Sequence, residues 1–152
     1  MKEQIVKAEK QHIDELIFFA GQLWGNHNTK NLKKEFETKL SNKESVIFLY
    51  VCDDKIVAFS MCGLRHDYVE GCISSPVAYL EGIFVLPEYR RKGIGKQLVE
   101  ACQKWGKQQG CEEFASDCEF TNKISQQFHN GCNFKESNRI VCFVKDLKGK
   151  NE

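Results

Sequence analysis

The chain has 152 residues, a formal net charge of +1 and 41% apolar residues. That length predicts a single domain over residues 1–152 with a core of ordinary size. The near-zero charge offers no bulk attraction to nucleic acid or a membrane surface, and no apolar run is long enough for a membrane span. The opening Met1-Lys2-Glu3-Gln4-Ile5 lacks the apolar stretch of a signal peptide, so a cytoplasmic protein is expected.

In chain order, residues 4–8 predict a short strand. Ile13, Leu16, Ile17, Ala20 and Leu23 form one helical stripe, and Leu32, Phe36 and Leu40 a second, ending near Ser41. Residues 45–52 and 56–62 are apolar runs separated by Asp53-Asp54-Lys55, which predicts a β-hairpin. A polar loop follows over 65–76. Residues 77–85 predict the next strand, closed by Pro87, and Ile94, Leu98, Cys102 and Trp105 recur at helical spacing up to Gly110. Residues 111–118 predict a strand, 122–130 a short helix and 139–147 a final strand. The order β-α-α-β-β-β-α-β-α-β predicts a three-layer α/β fold with a mixed sheet.

The eight cysteines, Cys52, Cys62, Cys72, Cys102, Cys111, Cys118, Cys132 and Cys142, show no C-x₂₋₄-C spacing. They read as small, mostly buried hydrophobes in a reducing compartment, and no metal site is expected.

The most informative stretch is Arg90-Arg91-Lys92-Gly93-Ile94-Gly95, between the strand ending at Val85 and a helix N-terminus. Its glycines let successive N–H groups turn toward one point, and the helix dipole adds positive potential there. A solvated basic loop is the plain alternative. The spelling excludes a Walker loop and lacks the third glycine of the dinucleotide fingerprint.

Residues 79–95, Tyr-Leu-Glu-Gly-Ile-Phe-Val-Leu-Pro-Glu-Tyr-Arg-Arg-Lys-Gly-Ile-Gly, resemble the central motif of the GNAT N-acetyltransferases. The coenzyme loop of that superfamily reads Arg/Gln-x-x-Gly-x-Gly/Ala, matched by Arg90, Gly93 and Gly95. Five blocks are similar to the aminoglycoside 6′-N-acetyltransferases: 22–24, 64–71, 74–77, 80–85 and 115–117. The resemblance implies a GNAT-type mixed, mostly antiparallel sheet flanked by helices. It also implies acetyl transfer from acetyl-CoA to the 6′-amine of an aminoglycoside, antibiotic resistance and a homodimer.

It further implies that Arg90, Arg91, Lys92, Gly93, Ile94, Gly95 and Lys96 cradle the coenzyme pyrophosphate. Ile83, Phe84 and Val85 would pair with the pantetheine arm by main-chain hydrogen bonds, with a backbone N–H near Val85 stabilising the thioester oxygen. Asn122 matches a pantetheine-contacting position and also reads as a plain helix cap. Trp24, His27, Tyr68, Glu70, Glu81, Asp117 and Glu136 would surround the sugar.

Polycationic aminoglycosides call for carboxylates and aromatic faces. Glu112, Glu113 and Glu119 read as a solvated face. Glu81, inside an apolar strand, is expected to face a cavity rather than a partner. The amine must lose a proton before it attacks, so a base is needed. Asp117 and Glu81 are the candidates, with Asp117 favoured. His129 stands where many members carry the tyrosine that protonates the leaving thiolate, and it reads equally as a helix-face histidine without a role. Two other readings stay open: the same enzyme class acting on a polyamine, peptide or protein amine, and a non-enzymatic acyl-CoA sensor.

Overall fold

The computed structural model describes residues 2–25 and 29–149. The elements run β1 (Glu3–Lys7), α1 (Ile13–Trp24), α2 (Thr29–Ser41), β2 (Ser45–Cys52), β3 (Lys55–Arg65), β4 (Val77–Val85), α3 (Ile94–Gln108), β5 (Phe114–Ala115) and α4 (Lys123–Gly131). Single 3₁₀ turns at Lys10–His12 and Pro87–Tyr89 lead into α1 and out of β4. The chain divides into two compact units, 1–117 and 118–152.

In the first unit the five strands lie in sequence order, antiparallel from β1 to β4, with β5 parallel to β4. The β2–β3 hairpin turns on Asp53 and Asp54, whose φ values of 49° and 66° suit a two-residue turn matched to strand twist. One face of the sheet carries Ile47, Leu49, Phe59 and Met61 and packs against Leu16, Phe19 and Ala20 of α1 and Leu32 and Phe36 of α2. Phe19 stacks on Phe59 with ring centroids 5.5 Å apart. Burying such a ring contributes roughly 2–3 kcal/mol. The other face carries Tyr50, Val57 and Ala58 and packs against Ile94 and Leu98 of α3.

The β3–β4 pairing contains an irregularity. The β3–β4 register steps from Cys62↔Leu80 to Met61↔Gly82, so Glu81 is an extra residue in β4. This β-bulge reverses the strand's side-chain parity. Phe84 then joins the α1/α2 core while Ile83 and Val85 join the α3 side. Pairing of β4 with β5 covers only Ala78↔Phe114 and Tyr79↔Ala115, so among the described residues the β5-facing edge of β4 has no strand partner beyond the bulge.

In the second unit α4 is capped by Asn122, whose side chain accepts the Ser125 N–H at 3.0 Å.

Two sequence expectations need correction. Residues 111–118 form a strand only at Phe114–Ala115, because their pairing with β4 covers just Ala78 and Tyr79 and stops before the bulge residue Glu81. Residues 139–147 form no strand, for among the described residues no strand pairs with them, and Ile140, Val141, Phe143, Val144 and Leu147 are exposed. The cysteines are all free, but only Cys52, Cys62 and Cys102 are buried. Cys72, Cys111, Cys118 and Cys132 are half-buried and Cys142 is exposed. Among the described residues no cluster of His, Cys, Asp and Glu could hold a metal ion, and no helix is long and apolar enough to cross a membrane.

Candidate active site

The glycine loop joins the 3₁₀ turn after β4 to the N-terminus of α3. Arg91 and Gly93 adopt left-handed φ values of 62° and 80°, and Gly93 is the N-cap of α3 without a side-chain cap. The first N–H groups of α3 therefore have no carboxylate or hydroxyl capping them from Gly93, and a helix start of this kind can receive an anion. Arg90 is turned back onto the strand: its Nε–H donates to the Val85 carbonyl at 2.7 Å, and its guanidinium lies 5.1 Å from the Phe84 ring centroid. Lys92 sits over Tyr89, 5.3 Å from the ring centroid.

The acidic face lies on the α1 side of the sheet. Tyr79 and Glu81 are two residues apart in β4 and project together. Arg65, at the end of β3, grips Glu81 with two parallel bonds, Nε–H to Oε2 at 3.0 Å and Nη2–H to Oε1 at 2.8 Å. Its guanidinium carbon lies 3.4 Å from the Tyr79 ring centroid. The Tyr79 hydroxyl donates to Asp117 Oδ2. Asp117 lies two residues past Ala115, the residue that pairs with Tyr79. Glu81, Arg65, Tyr79 and Asp117 thus form one chain of contacts. The carboxylate raises the pKa of Arg65 above its usual value, chiefly through these hydrogen bonds. Burial, reinforced by Asp117, pushes the Tyr79 phenol well above the ordinary tyrosine range.

Glu81 is therefore ion-paired, which corrects the expectation of a carboxylate facing a cavity. Isolating it beside apolar strand residues would cost more than pairing it. Glu113 also departs from a solvated face. Its Oε1 accepts the N–H of Ile73 at 2.9 Å, the N–H of Ser74 at 2.8 Å and the Ser74 hydroxyl, tying down the loop before β4. The Ser74 hydroxyl and these N–H groups hold the Glu113 carboxyl below the usual carboxylate range.

Trp24 ends α1 with its indole against Gly82, and it meets Phe59 edge-on at 6.4 Å between centroids. Val69 is buried against Val77 and Tyr79, which leaves its neighbours Tyr68 and Glu70 exposed beside the patch, the Tyr68 hydroxyl donating to Glu70 at 3.0 Å. A cavity of about 400 Å³ opens next to Trp24, lined also by Asn31, Leu32, Glu35, Phe36, Lys39 and Met61. Glu81 and Asp117 do not line it. His27 lies outside the described residues.

The second unit holds the remaining candidates. His129 Nδ1 donates to the Ser125 carbonyl at 2.7 Å, so Nδ1 carries a proton. The ring lies 5.2 Å from Phe134 between centroids. Glu136 pairs with Arg139 through bonds of 3.0 and 3.1 Å, and Arg139 holds its carboxyl below the usual range.

A model of the acetyltransferase (GNAT) family matches residues 11–134. The chain belongs to the GNAT acetyltransferases. An aminoglycoside N(6′)-acetyltransferase type 1 from Salmonella typhimurium is 39% identical over 141 residues, covering 93% of this chain and 97% of the relative. One from Acinetobacter baumannii is 39% identical over 143 residues, covering 94% and 98%. The structure of AAC(6′)-Iy in complex with the bisubstrate analogue CoA-S-monomethyl-acetylneamine superposes with a TM-score of 0.92 at 37% identity, over 97% of this chain and 100% of the other. The fold of this acetyltransferase is accordingly the mixed, mostly antiparallel GNAT sheet.

Arg65 and Tyr79 escaped the sequence reading. Strand periodicity alone puts Tyr79 and Glu81 on one face. Arg65 carries no such signal, because the loop over 66–76 leaves the β3–β4 register unspecified.

Proposed function

We propose that this acetyltransferase moves the acetyl group of acetyl-CoA to the 6′-amine of aminoglycosides by direct attack in a ternary complex, and so confers resistance. The observation carrying this reading is the parting of β4 from β5 just after Tyr79. The stretch of β4 edge without a strand partner among the described residues and the Glu81–Asp117 patch begin at the same place.

The residues fit the coenzyme. The left-handed turn at Arg91 and Gly93, the α3 N-terminus and the side chains of Arg91, Lys92 and Lys96 would hold its diphosphate, and the main chain of Ile83–Val85 would pair with its amide-bearing arm. When bound, the thioester supplies the electrophilic acetyl carbon. Arg90 steadies the end of β4 from the carbonyl of Val85.

Asp117 takes the amine proton. An alkylamine of pKa about 10 is almost wholly protonated at neutral pH, and freeing it costs about 4 kcal/mol at about 1.4 kcal/mol per pK unit. Arg65 engages both oxygens of Glu81, whereas Tyr79 engages one oxygen of Asp117, so Asp117 keeps an oxygen that can take the proton. Glu81 and Glu70, with the faces of Trp24 and Tyr68, bind the cationic sugar, and the resemblance adds His27 and Glu136. It also gives His129 the role of acid for the leaving thiolate, and Asn122 a pantetheine contact beside its cap.

A homodimer follows from the segment 139–147, a β-prone stretch whose apolar side chains a second copy would cover. Both units would form one catalytic domain acting in the cytoplasm, in keeping with eight free cysteines.

A coenzyme A thiol-release assay with kanamycin or tobramycin tests the reading. Turnover that depends on the 6′-amine is expected. Release with polyamines or peptides but not with these drugs would transfer the activity to another amine.

A further inference from the structure

We infer that Tyr79 is a positioning residue for acetyl transfer, its hydroxyl locking one oxygen of Asp117 while its ring, covered by Arg65, sets the spacing between that carboxylate and Glu81. The inference rests on the reading of Asp117 as the base.

Asp117 sits just past a two-residue strand, so backbone pairing alone holds it weakly. The tether comes from β4 instead. The Tyr79 ring is 6% exposed, packed against Val69 and Val77, with the Arg65 guanidinium 3.4 Å above its centroid. A ring so buried and covered has little freedom to swing, and its hydroxyl is delivered to Asp117 Oδ2. With Oδ2 occupied, Oδ1 is the oxygen that takes the proton. The same guanidinium fixes both oxygens of Glu81. One arginine and one tyrosine thereby set both acidic groups against a rigid strand. Such placement matters because an error of about 1 Å in a reacting group can cost on the order of a hundredfold in rate.

The phenol is a fixed donor and not a proton carrier. Burial and the neighbouring carboxylate push its pKa well above the usual tyrosine value, so it stays protonated at neutral pH. Tyr79 therefore acts through Asp117, and its effect should vanish when Asp117 can no longer accept a proton.

A double-mutant cycle tests this. Tyr79→Phe removes one oxygen and keeps the ring under Arg65. In the parent enzyme it should lower kcat for tobramycin by about ten- to a hundredfold, leaving both KM values and the thermal midpoint nearly unchanged. Asp117→Asn should lower kcat by about a hundredfold or more. In the Asp117→Asn background, Tyr79→Phe should change kcat by no more than about twofold.

Equal losses in both backgrounds would assign Tyr79 a merely structural role and overturn the inference. So would an unchanged kcat for Tyr79→Phe in the parent. Unchanged turnover in Asp117→Asn alone would instead remove Asp117 as the base, and the positioning role with it.

Discussion

The indole of Trp24 presses so closely on Gly82 that a Cβ at that position would stand 2.6 Å from Trp24 Cζ2. A side chain at residue 82 and the present position of Trp24 are mutually exclusive. Gly82 follows the bulge residue Glu81, so the aromatic wall and the acidic patch are set by adjacent residues of one strand.

Gly82→Ala should therefore displace Trp24. The expected result is an aminoglycoside KM raised about tenfold and a destabilisation of about 1–3 kcal/mol from overpacking, with the affinity for acetyl-CoA retained. Steady-state kinetics with each substrate varied in turn, together with a melting curve, would check it. An unchanged aminoglycoside KM would separate Trp24 from the acceptor site.

Gly93→Ala probes the other half. Gly93 holds φ at 80°, where an alanine costs about 1–2 kcal/mol. The substitution should distort the turn before α3 and weaken acetyl-CoA binding severalfold, measured by calorimetry. Tight binding by that variant would place the diphosphate elsewhere.

Glu113 gives a pH-dependent prediction. Its carboxyl lies below the usual carboxylate range because the Ser74 hydroxyl and the N–H groups of Ser74 and Ile73 favour the charged form. A group depressed in the folded state stabilises above its unfolded pKa, and that contribution is lost as pH falls through the folded value. Glu113→Ala should lower the melting temperature at pH 7. The gap from the parent should begin to close below about pH 4.3 and shrink further as the folded carboxyl protonates. A gap that stays constant down to about pH 2.5 would show that the carboxylate charge contributes nothing.

The exposed segment 139–147 predicts assembly. Removing residues 139–152, or replacing Phe143 and Val144 with aspartate, should convert a dimer to a monomer in sedimentation experiments. Phe143 is 93% and Val144 97% exposed in the single chain. Retention of the dimer would locate the interface on another surface.

The first unit's helices, the Asp53–Asp54 hairpin and the glycine loop were all legible from local patterns. Apolar spacing in α1, α2 and α3 identifies the faces that pack, and turn chemistry marks the hairpin. Residues 139–147 misled for a physical reason. Strand propensity states that a segment suits a pleated surface, and a partner must still supply that surface. Asn122 shows the converse, since the local cap reading was fulfilled by its bond to Ser125.

By itself the sequence determined the loop at Arg90–Gly95, the order of the elements of the first unit and the family resemblance, because each depends on neighbours within a few residues or on a contiguous match. Only tertiary structure decided the state of the carboxylates. Glu81 became an ion pair because the β3–β4 pairing brought it within reach of Arg65, 16 residues away. Asp117 became the carboxylate held by a neutral donor because Tyr79, 38 residues earlier, reaches it across the β4–β5 pairing. Charge compensation depends on distance in space, and strand register, which sets that distance, is a property of the folded sheet.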